Sequence, residues 1–385
     1  MIERPAVVAG SLVLDDRVAP GRIRIEDGWI ASVELDEPSR SGAAASTADL
    51  PFIAPGFVDI HVHGGGGHDA MGGQDALDGM ARHLLRHGVT SFLPTAVTAP
   101  LPALTRFADD VRAWLPGAPA DGAEPLGLNL EGPFLAEARR GAHDPAHLRV
   151  PANVPLASLE PLVDGLRVIT IAPELPGALE LIRWLRGRRV AISVGHSGAS
   201  MEEARAGYAA GATSTTHLFN AMTGIDHRAP GLAVAALLDD AAYVELIADG
   251  IHVDPALWPL ITRLKPRDRM LLVSDAIALA GMGDGQGWIG GLAVEVVGDR
   301  VTLAGTSTLA GSVLALDAAV RNVVAAGVPL PDAVAAACRN PLALLGITDR
   351  GRIAAGQRAD LVELDESLHL RRVMRAGSWF ADEVG

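Results

Sequence analysis

Short apolar runs rich in β-branched residues alternate with amphipathic stretches through the middle of the chain. The runs lie within residues 57–64, 91–97, 126–134, 168–174, 191–197, 212–220, 243–249 and 270–276. Apolar residues recur at helical spacing between and after them, within residues 75–88, 101–115, 177–187, 201–211, 255–265, 312–327 and 331–346. Continuous apolar runs are typical of buried parallel strands that helices connect. Because eight such strands close a (β/α)8 barrel, the pattern predicts an α/β fold built on a TIM-like barrel.

The two ends of the chain share a different pattern. Residues up to about Leu50 and the segment from Gly351 onward read as short strands separated by turn residues. We expect these ends to pair into one small β-sandwich. The predicted organisation is therefore a first sandwich part (1–54), a catalytic barrel (55–348) and a second sandwich part (349–385). A glycine-rich excursion from Ile277 to Gly311 follows the eighth run.

The net charge and composition of the chain argue against several classes of binding partner. The formal net charge is -14, which argues against a general binder of nucleic acid or anionic membranes, because basic surfaces attract those partners. No apolar stretch reaches membrane-spanning length, and the first residues lack the pattern of a signal peptide. We expect a soluble cytoplasmic protein. The single cysteine, Cys338, excludes an intrachain disulfide and is expected to be a buried, inert thiol.

Titratable side chains lie at or just after the carboxyl ends of six of the eight predicted strands. They are His61 and His63 (first strand), Glu131 (third), His196 (fifth), His217 (sixth), His252 (after the seventh) and Asp275 (eighth). In such barrels this end forms the mouth that holds the active site. Alternation along a strand aims His61 and His63 at one face, and imidazoles suit zinc. Each residue alone has a structural explanation, but their recurrence at equivalent positions indicates a metal-dependent site.

Lysine is almost absent, and this limits the chemistry. The only lysine, Lys265, lies at the end of a helical segment, so neither a carbamylated lysine bridging two metals nor a Schiff-base lysine is available on a strand. Glu131 is then the strand-end carboxylate able to anchor a metal. Among the other histidines, His83 and His87 are predicted to lie on an exposed helix face outside the barrel. We predict that His68, His147 and His369 lie in loops or at edges, without a partner in the sequence.

The order of short motifs carries a family resemblance over essentially the whole chain. The motifs are APGFVDIHVHG, LEGPF, RRGAH, VGHS, THLFNAM, DGIHV, VSDA, LAGS and GRIAAGQRADLV. With them the chain resembles the amidohydrolase superfamily and, more narrowly, the N-acetylglucosamine-6-phosphate deacetylase family. HVHG and GRIAAGQRADLV are generic to the superfamily. LEGPF with GAH, THLFNAM and DGIHV, in that order, is specific to the narrower family.

The resemblance implies a function and a site. The reaction removes the N-acetyl group of N-acetylglucosamine 6-phosphate to give glucosamine 6-phosphate and acetate, in amino-sugar catabolism or cell-wall sugar recycling. By resemblance, Glu131, His196 and His217 hold one divalent metal, expected to be Zn²⁺, with Fe²⁺, Mn²⁺ and Co²⁺ as alternatives. A second ion is possible at His61 and His63.

The resemblance also implies roles around the metal. Asp275 is the general base and acid, while His252 and His143 orient the substrate, His143 lying near the acetamide carbonyl. Asn220 and the backbone of Ala221 hold the phosphate. Arg228 joins them from the neighbouring subunit of a homodimer.

Some alternatives stay open on the residues alone. Asp275 could ligate a metal, Arg228 could be a solvated surface arginine, and Asn220 could be a turn residue. A second hypothesis is another amidohydrolase that acts on a cyclic amide, an aminopurine or a different N-acyl amino sugar. A third is a non-catalytic protein that binds sugar phosphates. Dependence on the substrate phosphate separates the first hypothesis from the second.

Overall fold

The computed structural model describes residues 6–36 and 50–380. Eight parallel strands follow one another in chain order around a barrel. Barrel strands one to eight are Phe57–Val62, Val89–Val97, Leu128–Glu131, Leu166–Ile171, Ala191–Val194, Ser214–Thr215, Tyr243–Leu246 and Met270–Leu272. Just beyond strand eight, the Asp275 N–H donates to the His61 carbonyl at 2.9 Å, which joins that end of the chain to strand one. Each predicted run overlaps one strand, so the predicted barrel is confirmed.

Helices surround this barrel and follow its strands. They are Gln74–Arg86, Leu101–Trp114, Glu160–Val163, Ala178–Arg186, Met201–Ala210, Leu232–Leu238, Trp258–Leu264, Leu316–Ala325, Leu330–Ala337 and Arg339–Leu344. Short 3₁₀ turns lie at Leu115–Gly117, Glu137–Arg139, Pro145–His147, Pro151–Asn153, Leu156–Leu159 and Pro255–Leu257. The first helix buries Leu77, Met80, Ala81, Leu84 and Leu85, the spacing of one helix face against a core. Within the part of the chain that the structure describes, no helix has the length and apolar character needed to cross a membrane.

The helical segment predicted near the C-terminus is divided at Cys338. The residue lies between helices Leu330–Ala337 and Arg339–Leu344, and its side chain is buried. Burial raises the pKa of the Cys338 thiol to about 12, so the thiol stays protonated near neutral pH. The expectation that Cys338 is buried is confirmed, and its lack of reactivity stays a prediction.

Strands from both ends of the chain form one seven-stranded sheet. Its order is Ser378–Phe380, Leu370–Arg375, Leu361–Leu364, Phe52–Pro55, Ala6–Val13, Val18–Glu26 and Trp29–Leu35. Apolar residues of both ends, including Leu12, Ile53 and Leu361, share a core that is separate from the barrel core. The predicted sandwich of terminal segments is thereby confirmed. The division at residues 54 and 348 stays a prediction.

Gly56 connects this terminal sheet to the barrel through a close approach. A Cβ atom at Gly56 would come within 2.4 Å of the Thr90 side chain. Because only glycine fits there, strand Phe52–Pro55 can pass directly into barrel strand one. The strand that carries His61 and His63 is thus joined to the terminal sheet by a short, tightly packed connection.

The glycine-rich excursion after strand eight is an ordered sheet. It contains the antiparallel strands Gly285–Ile289, Leu292–Val297 and Arg300–Leu303. Its apolar residues, among them Ile289 and Val294, pack with Val97 from barrel strand two. The composition of this segment predicts only a glycine-rich excursion and does not predict the three strands. The sheet instead forms one wall of the barrel mouth.

The prediction of an exposed face for His83 and His87 is wrong. Both lie outside the barrel, but each is half-buried. The His83 ring packs against the loop after strand one, where a Cβ at Gly66 would lie 2.9 Å from His83 Nδ1. Burial lowers the pKa of His83 to about 4. His87 Nδ1 lies 3.5 Å from Asp317 Oδ1, so both rings have structural neighbours.

Candidate active site

A cavity of about 330 Å³ opens at the carboxyl ends of the barrel strands. It has the size of a small-molecule site. Nine of the eleven residues predicted for the site line it: His63, Glu131, His143, His196, His217, Asn220, Ala221, His252 and Asp275. His61 lies behind this surface and is fully buried. Arg228 does not line the cavity of its own chain.

Unusual backbone conformations aim several of these side chains. Nine non-glycine residues of the described ranges have positive φ, and four of them are predicted site residues. They are His196 (46°), His217 (26°), Ala221 (50°) and Asp275 (52°). Side chains disfavour this region, and such strain concentrates at functional sites. At Asp275 the surrounding backbone holds the conformation, because its carbonyl accepts the Ser312 N–H at 2.8 Å.

Glu131 lies at the centre of the site, at the end of barrel strand three. Its Oε1 lies 3.0 Å from His196 Nε2 and 2.9 Å from His217 Nε2. The two imidazole nitrogens are themselves 3.0 Å apart. Tetrahedral ligands about 2.0–2.1 Å from a zinc ion lie roughly 3.3 Å from one another. The three donor atoms are therefore close enough to share one cation.

The protonation of His196 supports a cation at this point. Its Nδ1–H donates to the Arg139 carbonyl at 2.8 Å, which leaves the lone pair on Nε2. Burial lowers the pKa of His196 to about 4, so the ring is neutral near pH 7. A nitrogen lone pair then faces the Glu131 carboxylate without a proton between them. A divalent metal would satisfy both groups, and the donor set fits it.

A second group of donors shares Glu131. His63 Nε2 lies 3.3 Å from Glu131 Oε2 and 3.0 Å from Asp275 Oδ1, while His61 Nε2 lies 3.5 Å from Glu131 Oε1. Burial lowers the pKa of His63, but the carboxylates of Asp275 and Glu131 outweigh burial and raise the pKa to about 9. His61, His63, Glu131 and Asp275 offer ligand atoms within 4.8 Å of one another. Glu131 can thus contribute to both groups.

His143 is close to Glu131 and forms a further possible donor group with Glu131 and His196, but its own hydrogen bonds favour another role. Its Nε2 lies 3.2 Å from Glu131 Oε2. The Thr98 N–H donates to His143 Nδ1 at 3.3 Å, which makes Nδ1 the acceptor and places the proton of the neutral ring on Nε2. A metal-binding nitrogen must be free of its proton. His143 therefore presents a hydrogen-bond donor to the cavity.

The remaining predicted residues lie on the far side of the cavity or outside it. His252 Nδ1 lies 2.7 Å from Asp249 Oδ2, so the other ring nitrogen is left for the cavity. The Asn220 side-chain amide donates to the His217 carbonyl at 3.3 Å. Arg228 lies in an exposed stretch, where its Nε–H donates to His227 Nε2 at 2.9 Å.

Sequence reasoning missed three residues of the site. Glu245, in strand seven, and Asp59, in strand one, are fully buried acids that contact the histidine positions. Asp59 Oδ1 accepts the His61 N–H at 3.2 Å, and burial raises the pKa of Asp59 to about 6. The sequence feature that could have identified Glu245 and Asp59 is the presence of an acidic residue inside an apolar run. Among the residues that the structure describes, Arg139 is the one arginine that lines the cavity, and no lysine does.

Comparisons with known proteins show the family to which the chain belongs. The model of the amidohydrolase family matches residues 52–382. The chain is 40% identical over 375 residues to an N-acetylgalactosamine-6-phosphate deacetylase of Escherichia coli O157:H7, covering 94% of each chain. It is 39% identical over 388 residues to an N-acetylglucosamine-6-phosphate deacetylase of Bos taurus, again covering 94% of each.

A solved structure extends the likeness to three dimensions. A mutant N-acetyl-D-glucosamine-6-phosphate deacetylase of Mycobacterium smegmatis, in complex with N-acetyl-D-glucosamine-6-phosphate, is 35% identical. The match has a TM-score of 0.90 and covers 98% of this chain and 100% of that one. The chain belongs to the amidohydrolase family and, within it, to the N-acetylglucosamine-6-phosphate deacetylases.

Proposed function

We propose that the chain is a metal-dependent hydrolase that removes the acetyl group of N-acetylglucosamine 6-phosphate, giving glucosamine 6-phosphate and acetate. One observation carries the proposal. Glu131, His196 and His217 bring their donor atoms within 3.0 Å of one another in a cavity that Asp275 also lines. An amide is a poor electrophile, and a cation held by this cluster, with the Asp275 carboxylate beside it, would supply the Lewis acid and the general base that promote its hydrolysis.

The protein groups have distinct parts in the proposed reaction. When bound, a divalent cation supplies an acidified water and polarises the amide carbonyl. The Asp275 carboxylate accepts the proton of the attacking water and then donates it to the departing amine. The His143 Nε2–H donates to the acetyl oxygen. His252, oriented by Asp249, hydrogen-bonds the sugar and holds the amide in place.

For the metal we propose Zn²⁺ at Glu131, His196 and His217. Imidazole and carboxylate ligands suit zinc, but they also accept Fe²⁺, Mn²⁺ and Co²⁺, so metal availability contributes to the choice. A second ion at His61 and His63 is compatible with the donor group around Glu131. Metal analysis of protein purified without added metal would identify the ion.

The test of the proposed function is an acetate-release assay. N-acetylglucosamine 6-phosphate is compared with unphosphorylated N-acetylglucosamine, with metal content measured on the same sample. We expect acetate from the phosphorylated sugar at a far higher kcat/KM. A metal-loaded protein that binds this sugar phosphate but never releases acetate would contradict the proposal. A substrate preference that ignores the phosphate would favour a different amidohydrolase.

N-acetylgalactosamine 6-phosphate is a second candidate substrate. The observation that favours it is the 40% identity to a deacetylase named for that sugar. The two sugars differ only in the configuration at C4, two ring carbons from C2, which carries the reacting amide. The same assay with both sugar phosphates decides, because discrimination is measured by the ratio of their kcat/KM values.

We also propose a cytoplasmic homodimer in which Arg228 reaches the cavity of the neighbouring subunit. The exposed stretch 224–229 that contains Arg228 also carries Ile225, whose exposed fraction is 60%. A doubly charged sugar phosphate does not cross a bilayer unaided, so its enzyme belongs in the compartment that retains it. Sedimentation of the purified protein and cell fractionation test the two parts of this proposal.

Loss of the proposed phosphate contacts should raise KM for the phosphorylated sugar. In Asn220→Ala and Arg228→Ala we expect increases of roughly 10- to 100-fold, since hydrogen bonds to charged groups contribute about 1.5–3 kcal/mol. The KM for unphosphorylated N-acetylglucosamine should change little. If KM for the phosphorylated sugar were unchanged in both variants, neither residue would belong to the phosphate site.

We expect the Arg139 guanidinium to supply positive charge for the substrate phosphate from the same subunit as the cavity. Because the chain is acidic and the cavity contains Glu131 and Asp275, a phosphate needs local positive charge, and Arg139 is the arginine that lines the cavity. We expect Arg139→Ala to raise KM for the phosphorylated sugar roughly 10-fold. Arg140→Ala is the matched control, since Arg140 is an exposed neighbour that does not line the cavity. Equal effects of the two variants would contradict this role.

A further inference from the structure

Glu245 is a fully buried acid in the interior of barrel strand seven. In the described residues, no arginine or lysine lies within ion-pair distance of its carboxylate; its single such contact is with His61. A buried carboxylate is costly unless hydrogen-bond donors compensate for the lost hydration. The donors that meet Glu245 therefore indicate what its charge does.

One oxygen of Glu245 accepts two hydrogen bonds from His61 and His217, both of which are predicted metal ligands. Glu245 Oε2 lies 3.0 Å from His61 Nδ1 and accepts the His217 backbone N–H at 3.1 Å. The carboxylate thus links strand one to the residue that ends strand six. It lies behind the cavity, where it contacts the histidines and not the substrate space.

This contact fixes which nitrogen of His61 is free. With Nδ1–H donating to Glu245, the lone pair of His61 lies on Nε2. That atom is buried and has no hydrogen-bond partner. It lies 3.5 Å from Glu131 Oε1 and 3.6 Å from Asp275 Oδ1. An orphaned imidazole nitrogen that faces two carboxylates is the arrangement that a cation would complete.

His61 differs from its neighbours in the kind of acceptor that holds it. His63 Nδ1 lies 3.0 Å from the Thr95 carbonyl, and His196 Nδ1 lies 2.8 Å from the Arg139 carbonyl. Only for His61, among these three, is the acceptor a carboxylate. A carboxylate raises the basicity of the ligating nitrogen and adds negative charge next to a bound cation.

We propose that Glu245 is a positioning residue that holds His61 as a ligand of a second divalent cation, beside the one held by Glu131, His196 and His217. The inference rests on the proposed metal-dependent function. It assigns the second ion to His61, His63 and the shared Glu131 carboxylate, and Glu245 orients the His61 ring so that its Nε2 lone pair can bind the ion. The chain then binds two ions in functionally different sites.

The test is a metal titration of metal-free full-length protein with Zn²⁺, followed by calorimetry, and with Co²⁺, followed by its visible absorption. We expect two ions for the unaltered chain. Glu245→Leu removes the acceptor, so affinity for one ion should fall roughly 10- to 100-fold while the other ion binds as before. Glu245→Gln keeps an accepting oxygen but loses the charge, and it should weaken the same ion by a smaller factor.

Two controls make the result specific. His61→Ala should remove the same ion, and adding Glu245→Leu to it should leave the affinity of the remaining ion unchanged. Glu363→Gln replaces another buried carboxylate, in the terminal sheet, and should leave both ions in place. Circular dichroism and thermal melting verify folding. If Glu245→Leu does not fold, the Glu245→Gln titration decides.

Three outcomes would overturn the inference. The first is wild-type affinity for both ions in either Glu245 variant, and the second is equal weakening of both ions in a folded variant. The third is an unaltered chain that releases acetate but binds one ion. This third result leaves the proposed function intact. By contrast, an unaltered chain that binds two ions but releases no acetate from either sugar phosphate overturns the proposed function alone.

Discussion

Replacing Asp275 by asparagine should lower kcat for acetate release by roughly 10²- to 10⁴-fold, the range expected when a general acid and base is removed. Asparagine keeps the shape of the side chain but cannot accept the proton of the attacking water. Its backbone position should persist, because main-chain hydrogen bonds with His61 and Ser312 hold it. Metal content and the dissociation constant for the sugar phosphate should stay near those of the unaltered chain.

The measurement is steady-state kinetics together with metal analysis of the same preparation. Asp284→Asn is the matched control, since Asp284 is exposed and lies outside the cavity; it should retain activity within about twofold. Near-normal turnover in Asp275→Asn would remove Asp275 from the mechanism. Loss of an ion together with turnover would make Asp275 a metal ligand, which the 3.0 Å contact with His63 Nε2 permits.

The barrel and the main site residues could be predicted because both follow from local pattern. Apolar runs mark strands, and the side chains at their carboxyl ends must meet at one mouth. This rule placed Glu131, His196 and His217 together although 86 residues separate the first from the last. It needed no knowledge of side-chain contacts, because closure of the barrel brings the ends together.

Residues inside the strands could not be assigned in this way. Whether Glu245 faces the barrel interior or the helices depends on the alternation of strand seven, and its neighbours Val244 and Leu246 are both apolar and buried, so their polarity does not mark either face. A one-residue change in alternation would reverse the direction of the side chain. The local pattern therefore shows an acidic residue in an apolar run but not which histidine it contacts.

Long-range packing explains the other differences. The sheet after strand eight closes the mouth through contacts between Val97 and residues almost two hundred positions away, such as Ile289. His83 is half-buried because the glycine loop after strand one and Gly281 lie against its ring. Neither contact has a signature in local periodicity. Arg228 is different again, because its proposed role depends on a second subunit.

Replacing Glu131 by glutamine should abolish metal binding at the first site and lower turnover at least about 10³-fold, since the Lewis-acid chemistry that a cation held there would supply is lost. Glu131 Oε1 contacts both His196 and His217, so the substitution removes the carboxylate that the two histidines share. Glutamine also replaces one carboxylate oxygen with an NH₂ group, which donates hydrogen bonds and cannot bind a cation. Metal analysis and the acetate assay measure both effects.

Thermal melting gives a readout that does not depend on turnover. A ligand that binds only the native state stabilises it by about 2.7 kcal/mol at 100 times its dissociation constant, so added Zn²⁺ should raise Tm of the metal-free unaltered chain. Tm of Glu131→Gln should respond much less. Glu174→Gln is the matched control, because Glu174 lies beyond strand four, accepts the Ser197 hydroxyl at 2.7 Å and does not line the cavity. If Glu131→Gln melted and bound Zn²⁺ as this control does, Glu131 could not be the anchor of the metal, and the two donor groups that share it would have no common ligand.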